Sequence, residues 1–474
     1  MIMTLFAFLF PLLLGLFLIA WILRNEHETG LMERLCLSFP LGMGLLTLQM
    51  FFLGLLRVPL TLAYTTFPIL LEIIALFLLL RIKGTAILPA PSSGLFRELV
   101  SPQSSRIKKA GLIILSLWAA AKLLSLFFEA GLRPIYAWDA WANWSVGAKL
   151  FYYSNSLMLD AGPQDFFARG AVLRIPSYPL HSPLMQMWFA LWTGSFDEVL
   201  VKLWSPAYLL CTALYLYSFA SREINRLTAL IMLVLFLSSS LMSYHAVEAY
   251  SDFPLGACLL FALASFLMAI RLGPSYWIIT GLFCAQSMFM KEEAVFYVLL
   301  LLLSAIVYIR STANKNSGQT NMLALLLAPL VLILPWLAFK YSHGFVVGAD
   351  NVRPTPGFHP EMIGYIINSF AVLDNFNVFF LFFPALLLVA GKPTREFLHL
   401  IFVVAGYMLF FFALYSLTSY ATYMMEGTIF YRNVLTYYPS VCLLMIMAMG
   451  KTLTAGTLTA VSTVSKIQKR KGQR

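Results

Sequence analysis

Residues 110–129, AGLIILSLWAAAKLLSLFFE, are followed three residues later by RPIYAWDAWANWSVGAKLFYYSN, residues 133–155. The first stretch is apolar over the length of a bilayer crossing, roughly 17–25 residues. The second crowds three tryptophans, Trp138, Trp141 and Trp144, around a lone carboxylate, Asp139. Aromatic rings gather where a helix leaves the hydrocarbon for the headgroups. The pair therefore reads as a membrane span that opens into a loop at the boundary. That reading decides the fold, because runs like the first recur along the whole chain.

Composition agrees. Apolar residues make up 60% of the 474 and charged residues 11%, against about 25% charged in an ordinary soluble domain. The expected fold is an all-α polytopic membrane protein. About thirteen spans are expected, at roughly 2–23, 35–56, 62–82, 110–129, 199–219, 227–244, 253–271, 275–290, 294–309, 321–340, 375–391, 398–417 and 433–450. The first 23 residues lack a basic leading region and a small-residue cleavage site, so they read as a retained helix.

The net charge of +11 does not point to nucleic acid. One orientation places Arg24, Arg34, Lys83, Arg97, Arg106, Lys108, Lys109, Arg222, Arg226, Arg271, Arg310, Lys315, Lys392, Arg395 and the tail KIQKRKGQR on one side, which is then the cytoplasm. The opposite side carries Asp139, Asp160, Asp165, Asp197, Glu198, Glu248, Asp252, Asp350, Glu361 and Glu426. The first outer loop, 130–198, is expected to hold juxtamembrane helices. Its segment 183–194, PLMQMWFALWTG, is short for a span and is expected to lie along the interface with Trp188 and Trp192 as anchors. The five cysteines have no metal-ligand spacing and read as small apolar residues.

Charge at the hydrocarbon edge is expensive and marks candidate function. On the outer side this selects Asp139 with Asn143, Lys149, His181, Glu248 with Asp252, Lys291 with Glu292 and Glu293, and Arg432. Each has a plainer reading: the rings as an aromatic belt, a carboxylate as a helix cap, His181 as a turn residue, Lys291–Glu293 as a self-neutralising loop, Arg432 as an interface anchor. Their placement on one side favours a common site. A carboxylate among rings beside Lys and Arg suits sugar transfer from a lipid phosphate. Rings stack on sugar faces, cations hold phosphate, and the leaving group is already a stable anion, so one base is enough.

Taken in order, WDAWANWSVGAK, YPLHSPLMQMWFAL, DEVLVKLWSPAYLL, YSDFPLG, LFCAQSMFMKEEAVF and RNVLTYYP resemble the GT-C superfamily of polyprenyl-phosphate-sugar-dependent glycosyltransferases. The likeness is to the bacterial branch of aminoarabinose transferases and protein O-mannosyltransferase relatives. It runs over about 110–450, with 1–109 as three additional spans and a cytoplasmic loop, and 451–474 as a basic tail. The resemblance implies an inverting transfer from a polyprenyl-phosphate sugar to an extracytoplasmic glycan, lipid or protein, at the periplasmic face of a bacterial inner membrane. It implies Asp139 and Asp252 as catalytic acids. Lys149, His181, Glu248, Lys291, Glu292, Arg432, Trp138, Trp141 and Asn143 would serve donor, phosphate and substrate. No cofactor follows; a divalent metal is the one candidate, and the first loop has no Asp-x-Asp or Asp-Glu pair to hold it. Where the family's histidine segment continues with Pro, this chain has Ser182. The rival readings are a transporter or flippase, and a polysaccharide polymerase or ligase. A transporter would need polar residues at mid-span, where Glu72, Lys122 and Gln286 are the candidates.

Overall fold

The computed structural model describes residues 2–26, 30–89, 98, 101, 105–158, 178–312, 318–344, 354–371, 376, 379–425 and 429–471. Asp160, Asp165, Asp350 and Glu426, with Arg97 and Lys315, lie outside the described residues.

Helix forms wherever the apolar runs occur, because a backbone in hydrocarbon must satisfy its own hydrogen bonds. Of the described residues 81% are helical, and none forms a strand. In order come α1 (Ile2–Ile22), α2 (Leu31–Leu55), α3 (Leu62–Ile82) and α4 (Arg106–Ala130). A π-helical turn (Ala140–Ser145) leads into α5 (Val146–Ser154). Next are α6 (His181–Thr193), α7 (Trp204–Glu223), α8 (Arg226–Leu237) and α9 (Ser240–Ala246). They are followed by α10 (Asp252–Arg271), α11 (Ser275–Met290), α12 (Ala294–Thr312), α13 (Gly318–Leu327) and α14 (Leu334–Ser342). Finally come α15 (Glu361–Ala371), α16 (Phe379–Val389), α17 (Arg395–Leu417), α18 (Ala421–Met425) and α19 (Ile429–Lys471).

Among the described residues, nine helices are long and apolar enough to cross a membrane, and ten if α8 and α9, bent by 73°, count as one. The chain is a multi-pass membrane protein. Three of the thirteen expected spans fall outside this set, and the run at 199–219 is a short turn, Leu200–Lys202, followed by α7. The run at 275–290 is the buried 16-residue α11, and α16 has only 11 residues.

α10 and α19 form the centre, with 89% and 94% of their most apolar windows buried. Their backbones nearly touch: a Cβ on Gly256 would lie 2.4 Å from the Leu435 carbonyl oxygen. α1 and α2 meet the same way, Gly15 against the Ser38 carbonyl and Gly42 against the Pro11 carbonyl. Without a hydrophobic force between helices in lipid, such close small-residue packing is what holds them together. α3 and α4 sit at the edge, only 17% and 22% buried, and turn Phe67, Leu71, Leu117 and Leu124 outward.

The first helices are tied into the rest. Gln286 of α11 donates to the Pro40 carbonyl at 2.9 Å and to the Tyr208 hydroxyl at 3.2 Å. Glu33 of α2 pairs with Arg222 of α7 at 2.8 Å. α6 is buried from His181 through Leu191. Trp188 donates to the Ala7 carbonyl of α1, and Trp192 stacks on Phe6 and Phe10. The segment at 183–194 is thus packed against α1, which covers the Trp188 and Trp192 rings.

Charge sorts to the two ends of α10, about 30 Å apart. At its last residue, Arg271 bonds Glu223 and Glu396, while Arg226 and Lys108 share Glu98. At its first residue lies the second set, built around Asp252. Gly256→Val should force α10 from α19 and cost about 1–3 kcal/mol or more. Gly364→Ala, with nothing within 4 Å of the added carbon, should be silent. Thermal unfolding in detergent, followed by size-exclusion recovery, compares the two.

Candidate functional site

Asp252 opens α10, where the helix N-terminus favours a carboxylate. Its side chain is 1% exposed. Such a buried charge needs partners, and two helix ends deliver them. Lys291, the first residue beyond α11, donates to Asp252 Oδ1 at 2.9 Å. Arg432, in the first turn of α19, donates to Oδ2 at 3.2 Å. The Gly256–Leu435 contact lies one turn further along both helices and fixes this register.

Arg432 also bonds Asp139. The guanidinium thus bridges two carboxylates that are 113 positions apart in the chain (252 − 139). Lys291 carries the chain of charge one step further, to Glu293 at 2.5 Å. The series Asp139–Arg432–Asp252–Lys291–Glu293 alternates sign throughout. Burial alone would lower the Lys291 ammonium, but the carboxylates of Asp252 and Glu293 hold it above the ordinary lysine range.

The approach to Asp139 is shaped by the π-helical turn. Ser145 Oγ donates to the Ala140 carbonyl at 2.8 Å, which supports the widened turn. In an ordinary helix, tryptophans at spacing three would share a stripe. Here they divide. Trp138 and Trp141 are 64% and 46% exposed, whereas Trp144 is 1% exposed and stacked on Tyr178 at 5.2 Å. A three-ring belt is thus replaced by two outward rings and one core ring. Asn143 Oδ1 is buried, with no hydrogen-bond partner among the described residues.

Glu248 serves a neighbouring network. Its buried carboxylate faces Arg133 at 3.4 Å and Lys202 at 3.7 Å, and Lys202 donates to the Pro134 carbonyl. Burial pushes Glu248 up and Lys202 down, each toward its neutral form, while their mutual attraction opposes both shifts. The network grips residues 133–134, at the start of the segment that ends in Asp139.

Three expected members stand apart. Lys149 pairs with Glu198 at 3.4 Å and lies over Phe196. Glu292 pairs with Lys340 of α14. His181 is fully buried, its Nδ1 2.5 Å from Thr47 Oγ1 and its Nε2 3.5 Å from the Tyr208 hydroxyl. Burial lowers it to about 3, so it is a neutral clamp between α2, α6 and α7. Its neighbour Ser182 reaches the site instead, through a hydrogen bond to Ser251 beside Asp252.

Sequence reasoning missed His245 and Tyr250. His245 Nδ1 lies 3.8 Å from Asp252 Oδ2, and its ring stacks on Tyr250 at 4.3 Å. Arg432 lies over the Tyr250 ring at 5.1 Å. Burial and the nearby acids push the Tyr250 phenol up to about 12, so it stays protonated. Both residues stand in HAVEAYSDFPLG, on either side of Glu248 and just ahead of Asp252.

Among the described residues, no group of three or more His, Cys, Asp or Glu is placed to hold a metal ion. Arg432 occupies the place between the two carboxylates, so the cation they share is a guanidinium. No protein-family model, curated protein or solved structure matches the chain.

Lys291→Met leaves two acids short of a cation in a buried setting, which costs roughly 3–5 kcal/mol. Lys149→Met removes an exposed pair and should cost about 1 kcal/mol or less. Unfolding midpoints of the two variants in detergent provide the comparison. Because the pKa of Lys291 is raised, its contribution should hold from neutral pH up to the ordinary lysine range and fade only as pH rises through its higher folded value.

Proposed function

We propose that this protein is a membrane glycosyltransferase that moves a sugar from a polyprenyl-phosphate donor to an acceptor hydroxyl. The carrying observation is the junction of two carboxylates, Asp139 and Asp252, with Arg432 and Lys291 at one end of a bundle of apolar helices. A lipid-phosphate donor has that geometry, with its tail in the bilayer and its charge and sugar at the boundary.

Asp139 is the base in this reading. It is the more exposed of the two acids, at 24% against 1%, and the outward rings of Trp138 and Trp141 adjoin it. Its carboxylate takes the acceptor hydroxyl proton as that oxygen attacks the anomeric carbon. The bond from this carbon to the phosphate oxygen breaks, and its electron pair leaves with the phosphate. The product glycoside is inverted, polyprenyl phosphate departs as an anion, and Asp139 returns its proton to water. Arg432 stabilises the charge that builds on the leaving phosphate, and a guanidinium suits that role by its paired donors. Asp252, itself paired with Lys291, holds Arg432 in place. The site would face the periplasm of a bacterial inner membrane.

A transporter is less well supported. Of the mid-span polar residues, Gln286 is bonded to Pro40 and Tyr208 within the core, and Glu72 accepts from Gln49 at 3.2 Å near the exposed edge.

Purified protein given a polyprenyl-phosphate sugar should transfer it. Asp139→Asn, close in shape, should fold and lose about 10²-fold or more of the rate. A fully active Asp139→Asn protein removes this residue from the mechanism.

A further inference from the structure

Arg432 holds two acids that differ in kind. Asp252 is 1% exposed, opens a helix, and has Lys291 as a second partner. Asp139 is 24% exposed, and Arg432 is its hydrogen-bond and ion-pair partner among the described residues. Arg432 itself is 20% exposed, so an anion can reach it. An arriving oxyanion competes for the same guanidinium. It cannot displace Asp252 without leaving a buried charge short of a partner, whereas Asp139 can swing toward water.

We infer that Arg432 is an oxyanion site masked at rest by Asp139, and that a phosphate on Arg432 releases this carboxylate. The inference rests on the glycosyltransferase reading for its purpose: the base is freed only when the donor is seated. Without donor, the guanidinium engages Asp139 Oδ2, so that oxygen is not open to an acceptor hydroxyl. With donor bound, the phosphate takes the guanidinium hydrogen bonds, and Asp139 becomes available to the acceptor hydroxyl. Donor binding precedes productive acceptor binding, and a stray hydroxyl meets no free base at an empty site. The exchange makes and breaks no covalent bond: one carboxylate leaves the guanidinium as one phosphate oxyanion arrives. A phosphate monoester or diester fits the site, as inorganic phosphate or as a lipid headgroup.

The experiment uses the full-length protein in detergent, with inorganic phosphate and a short-chain prenyl phosphate as separate probes. Asp139→Asn removes the internal competitor, so it should bind the anion more tightly, on the order of tenfold. An affinity that is unchanged or weaker overturns the inference. Tightening toward both probes marks a general phosphate site; tightening toward prenyl phosphate alone marks a lipid headgroup site. Either supports the exchange. A second measurement needs no variant. Carbodiimide coupling of Asp139 in the wild-type chain, read by mass spectrometry, should quicken when inorganic phosphate or the short-chain prenyl phosphate is added. A rate that is unchanged or slower with both probes overturns the inference. Sugar transfer by the wild-type protein is scored separately. Exchange without transfer sinks the enzyme reading and leaves the masked site standing; transfer without exchange does the reverse.

Discussion

A charge removed from water must be answered within a few ångströms, and at one end of this bundle the answer is a single guanidinium. Arg432 reaches two acids at once, and the arrangement of three helix ends follows from that demand. α10 begins at Asp252, α11 stops just before Lys291, and α19 starts just ahead of Arg432. None of the four side chains is stable there alone. The close backbone contact at Gly256 is the mechanical part of the same solution, since it fixes how far α19 stands from α10.

The opposite end of α10 is built differently. Arg271 and its partners Glu223 and Glu396 are each about a quarter exposed. Pairs of that kind contribute little individually. They tie helix termini and ask nothing of the interior. The two ends thus divide labour: one fastens the bundle, and the other concentrates charge where burial makes each group dependent on the next.

Much of this is legible in the amino-acid sequence. In apolar surroundings a charged residue stands out, so Asp139, Asp252, Lys291 and Arg432 can be named from their rarity at span ends. Helix existence is equally clear, because long apolar runs have few alternatives in lipid. Partnership is what a sequence hides. Lys149 looks like a site cation but sits beside Glu198, which lies 49 positions away in sequence. His181 stands out among apolar residues in YPLHSPL, yet its neighbour Ser182 makes the contact with the site. His245 and Tyr250 are common boundary residues with no charge signal of their own. The division of the three tryptophans is hidden too, since a π turn cannot be read from spacing. Interfacial and packed helices such as α6 share one composition, and only the placement of α1 separates them.

The span of Arg432 along the chain has a consequence for biosynthesis. Its bond to Asp139 joins residues 293 positions apart, and that to Asp252 joins residues 180 apart. α19 leaves the ribosome after every other described helix. Until it arrives, Asp139 has no guanidinium, and Asp252 depends on Lys291. Until α19 is made, Asp139 therefore lacks the cation it pairs with in the folded protein. The charge network closes only when α19 joins the helices that precede it. An assembly stalled before α19 differs electrically from one that contains it, because two acids then share one fewer cation.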